Sequence, residues 1–316
     1  MKSIKSKGKV SIIGTGLVGS ATAFALTMSG LLSELILIDV NKSKAQGEAL
    51  DLNHGRYFYS NMSITSGDYP DIKNSDIIII AESNIPQSEQ TGLDLIRSKV
   101  NTTKNVVQNI MRHYTGGVIL VAQNPVDILT YVVQKISALP ENKVIGTGTV
   151  LESSRLRYLL SEHCNMDVKN IHAYIIGEHG YSQFPVWSST NIAGQKYDDF
   201  CAACTKKCGN TERYRIFSEV KNAESEIINL KDGVQFSVAM SVVRIVEAIL
   251  KNQNSILPVS SVVRGSYGIS EVALSLPSVI NFSGIERMFN ISLTQDEQQK
   301  LEESAVKLKE IIREVM

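Results

Sequence analysis

Three residues in the second half of the chain are of the types that proton transfer beside a carboxylate would need. His179 stands in IIGEHGYS, Ile175 to Ser182, where two isoleucines and a glycine lead into a glutamate, the histidine and another glycine. Imidazole titrates near neutrality and so suits a general acid or base. Alone, a histidine after a strand is more often a hydrogen-bonded structural residue. Its company changes the reading. Glu152 and Arg155, in LESSRLRYLLSEH, are three residues apart at the start of one predicted helix and so share a face. A carboxylate can orient and stabilise an imidazolium, and a guanidinium fork can hold a substrate carboxylate through two hydrogen bonds.

A second constellation lies near the start. GTGLVGS, Gly14 to Ser20, has G-x-G-x-x-G spacing directly after one strand pattern and directly before a helical one. Gly14, Gly16 and Gly19 would let the backbone approach a pyrophosphate seated on the helix N-terminus, at Leu17, Val18 and Gly19. Asp39 ends the next strand, twenty residues beyond Gly19. A carboxylate there accepts hydrogen bonds from ribose hydroxyls, which favours NAD over its 2′-phosphorylated counterpart. A tight strand-to-helix turn without a ligand is the alternative.

The elements that must position these groups follow a rhythm. KVSIIG, ELILIDV, SDIIIIA, GGVILVA and NKVIGTG are short, largely aliphatic runs, as strands buried on both faces are. LVGSATAFALTMSG and LDLIRSKVNTTKNVVQNIMRHY read as helices between them, the first ending at Gly30. This alternation predicts an α/β fold with a doubly wound parallel sheet. After about residue 150 the rhythm changes to α+β. LESSRLRYLLSEH and GVQFSVAMSVVRIVEAILKN read as helices, and NIHAYIIG, FPVWSSTNIAG, SILPVSSVVRG and EVALSLPSVIN as strands. The expected domains are therefore 1–147 and 148–316. The last helix carries a capping box, Thr294 with Glu297, and a stripe of Leu301, Ala305, Leu308, Ile312 and Val315.

Composition narrows the partners. Thirty-two basic residues balance thirty-two acidic ones, so charge offers no case for nucleic acid, and the expected partner is a small molecule or another subunit. No apolar run approaches a membrane span and no secretory leader precedes the first strand, so the expected location is the cytoplasm. Cys164, Cys201, Cys204 and Cys208 are too few and too clustered for a disulfide framework. CAACTKKC lacks a nearby fourth ligand for zinc, and no metal is expected. A polar loop containing thiols is the simpler reading.

With these motifs in order, the chain resembles the lactate and malate dehydrogenase family, and within it the bacterial L-lactate dehydrogenases. The likeness runs through KVSIIGTGLVGS, LILIDV, LDLNHG, NPVDILTY, VIGTGTVLESSRLRYLL and AYIIGEHG to the C-terminal helix. It implies a Rossmann-type domain binding NAD, followed by an α+β substrate domain. The implied reaction is hydride transfer between nicotinamide and C2 of a small L-2-hydroxy acid. On that resemblance His179 is the proton donor and acceptor, Glu152 its carboxylate partner and Arg155 the substrate clamp. Asn124, in AQNPVD, positions substrate and cofactor. Dimers or tetramers are implied too, and the apolar content of the helices spanning 94–113 and 234–252 agrees with buried subunit contacts.

The chain departs from the family pattern at one place above all. The family's mobile loop reads roughly A-G-A-N-Q-K-P-G-E-T-R-L-D-L, and its arginine polarises the substrate carbonyl. The gapless match is ESNIPQSEQTGLDL, Glu82 to Leu95, which puts Gly92 at the arginine and Pro86 at the position that reads the substrate. Glu82 and Ser83 replace an Ala-Gly pair near the cofactor, Tyr181 replaces an aspartate, and Val234 replaces a threonine. Glu152 adds a methylene to the family's aspartate. Reduced or altered activity is therefore expected, with a non-catalytic NAD-binding paralogue as the alternative.

Overall fold

The computed structural model describes residues 7–82, 92–203, 209–231 and 233–316. Six strands form the parallel centre: β1 (Gly8–Ile13), β2 (Leu32–Ile38), β3 (Ser63–Ser66), β4 (Ile77–Ile80), β5 (Val118–Val121) and β6 (Val144–Gly146). They lie in the order 3-2-1-4-5-6, the doubly wound arrangement of a Rossmann sheet. The four isoleucines of β4 are each at most 1% exposed. Their β-branched side chains fill both faces of a pleated strand, which is why the run is continuous rather than alternating.

Helices cover both faces. On one side α1 (Leu17–Ser29) and α2 (Lys42–His54) share a core with β1 and β2, and on the other α3 (Gly92–His113) and α4 (Val126–Ser137) pack over β4 and β5. Helix α1 stops at Gly30, whose φ of 69° is a left-handed cap that costs glycine nothing. Helices α2 and α4 and strand β3 were not among the expected elements. In α2 only Ala45 and Ala49 are buried, so its sequence carries little apolar period.

The second half begins with α5 (Val150–Cys164) and continues through β7 (Ile171–His172), β8 (Ile175–Ile176), β9 (Phe184–Pro185), β10 (Asn191–Ile192) and β11 (Gln195–Lys196). NIHAYIIG and FPVWSSTNIAG are thus broken rather than continuous strands. The break has a pairing cause: β7 pairs with β10, whereas β8 turns away to pair with β9. Helices α6 (Tyr197–Ala203), α7 (Asn210–Lys231) and α8 (Gln235–Leu250) follow, then β12 (Ser255–Arg264), β13 (Ser270–Asn281), β14 (Gly284–Met288) and α9 (Gln295–Val315).

Two features join the halves. Strand β12 pairs antiparallel with β6 through Ser260 and Gly146, extending the parallel sheet to nine strands. Helix α8 packs on α1, and its Val242, Ile245 and Val246 complete the core that Val10, Ala23 and Leu26 begin. In α9 the Thr294 hydroxyl accepts from the Glu297 N–H and the Glu297 carboxylate accepts from the Thr294 N–H. Leu301, Ala305, Leu308, Ile312 and Val315 are all buried on its inner face. No helix among the described residues is long and apolar enough to cross a membrane.

Candidate active site

A doubly wound sheet leaves a crevice where neighbouring strands send their connections to opposite faces, here between β1 and β4. A cavity of about 270 Å³ lies at the carboxyl ends of these strands. It is lined by Leu17 and Val18 of α1, Glu82 after β4, Asn124 after β5, Arg155 of α5, and His179. A second cavity of about 620 Å³ shares Arg155, His179 and Glu224 and continues toward Tyr181 and Lys221. The residues expected to act on substrate are thus brought together from separate elements.

Glu152 and Arg155 occupy the first two turns of α5. The Glu152 side chain is buried and uses both oxygens: Oε2 lies 3.1 Å from Nδ1 of His179, and Oε1 accepts from Nη1 of Arg155 at 3.2 Å. The methylene that distinguishes it from aspartate accompanies this double contact. Burial opposes its charge, but His179, through charge and hydrogen bond, and then Arg155 outweigh burial and hold the carboxyl below its ordinary range. Nη2 of Arg155 is buried with no hydrogen-bond partner among the described residues. A buried guanidinium nitrogen left unpaired is costly, and an incoming carboxylate would satisfy it.

A carboxylate that sequence reasoning missed sits beneath the histidine. Asp127, in the first turn of α4, accepts from the His179 N–H and from the hydroxyls of Ser260 and Ser275. Burial pushes its pKa up to about 6 against the opposing effect of the Ser260 hydroxyl and the His179 N–H. An aspartate inside the apolar run VDILTYVV was the available signal. Burial also disfavours the His179 imidazolium, but Glu152, by charge and hydrogen bond, then Asp127 and Glu224, raise its pKa to about 9.

That value sets a pH dependence. Reduction of a carbonyl needs the imidazolium, which is present below about pH 9 and lost above it. Oxidation of the alcohol needs the neutral ring, so its limb runs the other way. We expect kcat/KM for reduction to be level through neutrality and to fall above about pH 9, and that for oxidation to rise over the same range. Steady-state profiles in both directions check this, and a reduction limb that falls near pH 6.5 would show that the carboxylates do not act on the ring.

The glycine loop fits a dinucleotide. Gly14 has φ +97°, and a Cβ there would lie 2.7 Å from the Glu82 backbone. A Cβ on Gly19 would lie 1.9 Å from the Gly14 carbonyl oxygen, so no larger residue fits either place. Gly16 is the N-cap of α1 and no side chain caps the helix, so the first amides, at Leu17, Val18 and Gly19, are open to an anion. Asp39 accepts from the N–H and hydroxyl of Thr15 and from the N–H of Asn41. Burial alone would raise its pKa, but these donors and Lys44 hold it below the usual carboxylate range. It is therefore charged at neutral pH while its oxygens keep room for ribose hydroxyls.

Other positions alter the cavity. Glu82 lies beside the Gly14 turn, where burial and the charge of Asp39 push its carboxyl upward. Gly92 is the exposed first residue of α3, and a Cβ there would meet nothing within 4 Å. Ser83, Pro86, Cys204 and Cys208 lie outside the described residues, and so does most of the substrate-reading loop. Cys164 is buried and Cys201 half-buried, and neither forms a disulfide among the described residues. Val234 lines the cavity immediately before α8, and Tyr181 is exposed with the Lys221 ammonium 4.3 Å from its ring centre.

Two further side chains reach the cavity that sequence reasoning did not place there. Glu224, on α7, lies 3.5 Å from Nδ2 of Asn124, and Lys99, on α3, donates to the Asn124 carbonyl at 2.8 Å. Only Ile216 and Val220 of α7 are buried, so little in its 22 residues marks a helix facing a site.

Comparison with known proteins places this geometry. Residues 8–146 match the lactate/malate dehydrogenase NAD binding domain, and residues 149–316 the alpha/beta C-terminal domain of the same family. The chain is 46% identical over 307 residues to L-lactate dehydrogenase 1 of Clostridium acetobutylicum, covering 97% of this chain and 98% of that protein. It is 47% identical over 305 residues to the L-lactate dehydrogenase of Acetivibrio thermocellus, covering 96% of each. A lactate dehydrogenase from a Medee basin deep-sea metagenome library superposes with TM-score 0.96 at 37% identity, covering 98% of this chain and 99% of that one. The minor L-lactate dehydrogenase of Enterococcus mundtii superposes with TM-score 0.95 at 35% identity, covering 99% of each. With both family domains matched in order along one chain that carries the glycine loop, the charged Asp39 and the joined His179, Glu152 and Arg155, the protein belongs to the lactate/malate dehydrogenase family.

Proposed function

We propose that the chain is an NAD-dependent L-2-hydroxy acid dehydrogenase of the lactate type, interconverting a small 2-oxo acid and its 2-hydroxy acid. The observation that carries this reading is the single carboxylate, Glu152, that holds both an imidazole and a guanidinium at one cavity. Residues 1–147 form the NAD-binding part, through Gly14, Gly16, Leu17, Val18, Gly19, Asp39 and Asn124. Residues 148–316 supply the substrate part. When bound, the nicotinamide supplies or accepts the hydride. Arg155 holds the substrate carboxylate through Nη2, Asn124 orients the substrate, and His179 passes a proton between its Nε2 and the substrate oxygen. Glu152 fixes the ring by Nδ1 and stabilises its charge. Turnover is reduced or altered relative to a chain with the loop arginine. NADH absorbance followed with pyruvate and larger 2-oxo acids tests the reading. The panel includes larger acids because the second cavity leaves room beyond Arg155 and His179. Absence of turnover with every member, at high protein concentration, would overturn it.

Glu82 favours a second reading, a paralogue that binds NAD without catalysis. A carboxylate facing a pyrophosphate adds like-charge repulsion on the order of 1 kcal/mol, about fivefold in affinity. The neutral form does not repel, so NADH affinity should fall as pH rises through the raised pKa of Glu82. Glu82→Gln should bind NADH about fivefold more tightly at neutral pH and lose that pH dependence. Nicotinamide fluorescence titration measures both, and equal affinities for the two proteins would show that the carboxylate turns away from the phosphates. NADH binding without turnover would favour the paralogue.

We also place the protein in the cytoplasm as a homo-oligomer. Phe24 and Met28 on α1, Leu50 on α2, Tyr57 and Phe58 just after it, and Phe236 and Met240 on α8 are all more than half exposed. These three helices cover the same face of the sheet, and apolar exposure of that extent on neighbouring elements favours burial against a second copy. On α3 the most exposed large apolar side chain, Leu93, falls short of half exposure, so α8 rather than α3 supports the expectation from helix composition. Light scattering should give at least twice the 34.7 kDa chain mass at micromolar concentration, and a single-chain mass would overturn the assignment.

A further inference from the structure

The cavity holds a cation that the roles above leave unused. Reducing a carbonyl group builds negative charge on its oxygen, and a preorganised donor at that oxygen is worth a large factor in rate. Position 92 has no side chain to provide one. Lys99 lies seven residues further along α3, close to two full turns, and so on nearly the same helical face. It lines the cavity that also holds Arg155 and His179. Its Nζ donates to the Asn124 carbonyl at 2.8 Å, which anchors the ammonium and leaves two of its three N–H groups for another acceptor. Burial weakens the charged form, and the Glu224 carboxylate opposes that weakening. Arg155 and His179 are both held by Glu152, whereas no carboxylate lies within ion-pair distance of Lys99 among the described residues.

We infer that Lys99 is a catalytic residue of this chain, its ammonium donating to the carbonyl oxygen of the bound 2-oxo acid in place of the arginine absent at position 92. The step balances. With NADH bound, the carbonyl carbon would accept a hydride from it, the π pair would move to oxygen, and that oxygen would take the proton from His179. Lys99 keeps all of its protons throughout and stabilises the developing charge. A lysine reaching in from the middle of the helix would make the vacant place at position 92 tolerable.

The inference rests on the dehydrogenase reading, and the test separates the two. Lys99→Gln keeps a donor for the Asn124 carbonyl and removes the charge, Lys99→Arg keeps a charge, and Gly92→Arg is added to Lys99→Gln. Each is assayed for 2-oxo acid turnover, NADH affinity, and binding of oxamate, an unreducible isostere of pyruvate, to the NADH complex. Lys99→Gln should lose about 10²-fold in turnover and at least tenfold in oxamate affinity, with NADH affinity within twofold. Lys99→Arg should stay within tenfold of the parent, and Gly92→Arg should restore most of what Lys99→Gln loses. Turnover and oxamate affinity of Lys99→Gln within threefold of the parent would overturn the inference and leave the function standing. A loss that Gly92→Arg does not restore would also overturn it, because Lys99 would then only hold the Asn124 backbone. A parent protein that neither reduces any 2-oxo acid nor binds oxamate would overturn both.

Discussion

His179→Asn should lower turnover in 2-oxo acid reduction by about 10²- to 10⁴-fold, the span that a positioned general acid contributes, while NADH affinity stays within about twofold. Asparagine is close in size to part of the imidazole and can donate one hydrogen bond to Glu152, but it cannot release a proton. The backbone N–H of residue 179 would still reach Asp127, so the loop should hold its place. Glu152 would keep Arg155 as its remaining cation, which limits the damage to the clamp. The alkaline limb near pH 9 should disappear along with the rate. Steady-state kinetics in both directions, with NADH fluorescence as the control for folding, measures these effects together. A loss below tenfold, or a surviving limb near pH 9, would return His179 to the role of a structural histidine.

Arg155→Leu should lower kcat/KM by about 30- to 5000-fold, the range set by the 2–5 kcal/mol lost when one partner of a buried charged pair is truncated. Two consequences separate it from the histidine variant. Carboxylate binding is made in both ground and transition states, so much of the loss should appear in KM. Glu152 would be left with His179 alone, and with the arginine's competing charge gone the imidazolium becomes more favourable, so the alkaline limb should move above pH 9. Arg155→Lys should fall between parent and leucine, because an ammonium cannot reproduce the fork geometry. An unchanged KM with an unmoved limb would mean that another group holds the substrate carboxylate.

Much of the scaffold was legible in the chain itself, for reasons specific to particular elements. The five aliphatic runs of the first half are buried on both faces, so their composition announces their place. Gly14, Gly19 and Asp39 are tied to one another by backbone geometry within a single βαβ unit, which makes their spacing informative. The pairing of His179 with Glu152 was suggested by their chemistry, and a family likeness joined segments 27 residues apart. Lys99 and Glu224 were not legible, since each is an ordinary charged residue on a different helix and acquires meaning only where α3 and α7 meet the cavity, whereas Asp127 stood out only as an aspartate in an apolar run. The short strands from β7 to β10 escaped for the opposite reason: they are apolar enough to look continuous, but exchange partners every few residues.

The seam between β6 and β12, with α8 lying on α1, means that the nucleotide-binding half is not a detachable module. Cut after residue 146, it would leave Val144 and Ile145, buried in the intact protein, on a bare sheet edge. Unpaired edges of that kind invite intermolecular pairing. It would also uncover Ala23 and Leu26, whose cover on that side includes Val242, Ile245 and Val246. A chimera that exchanges cofactor preference between relatives would therefore need to carry α8 and the hairpin of β12 and β13 with the first 146 residues, since the sequence boundary and the boundary of the core fall in different places.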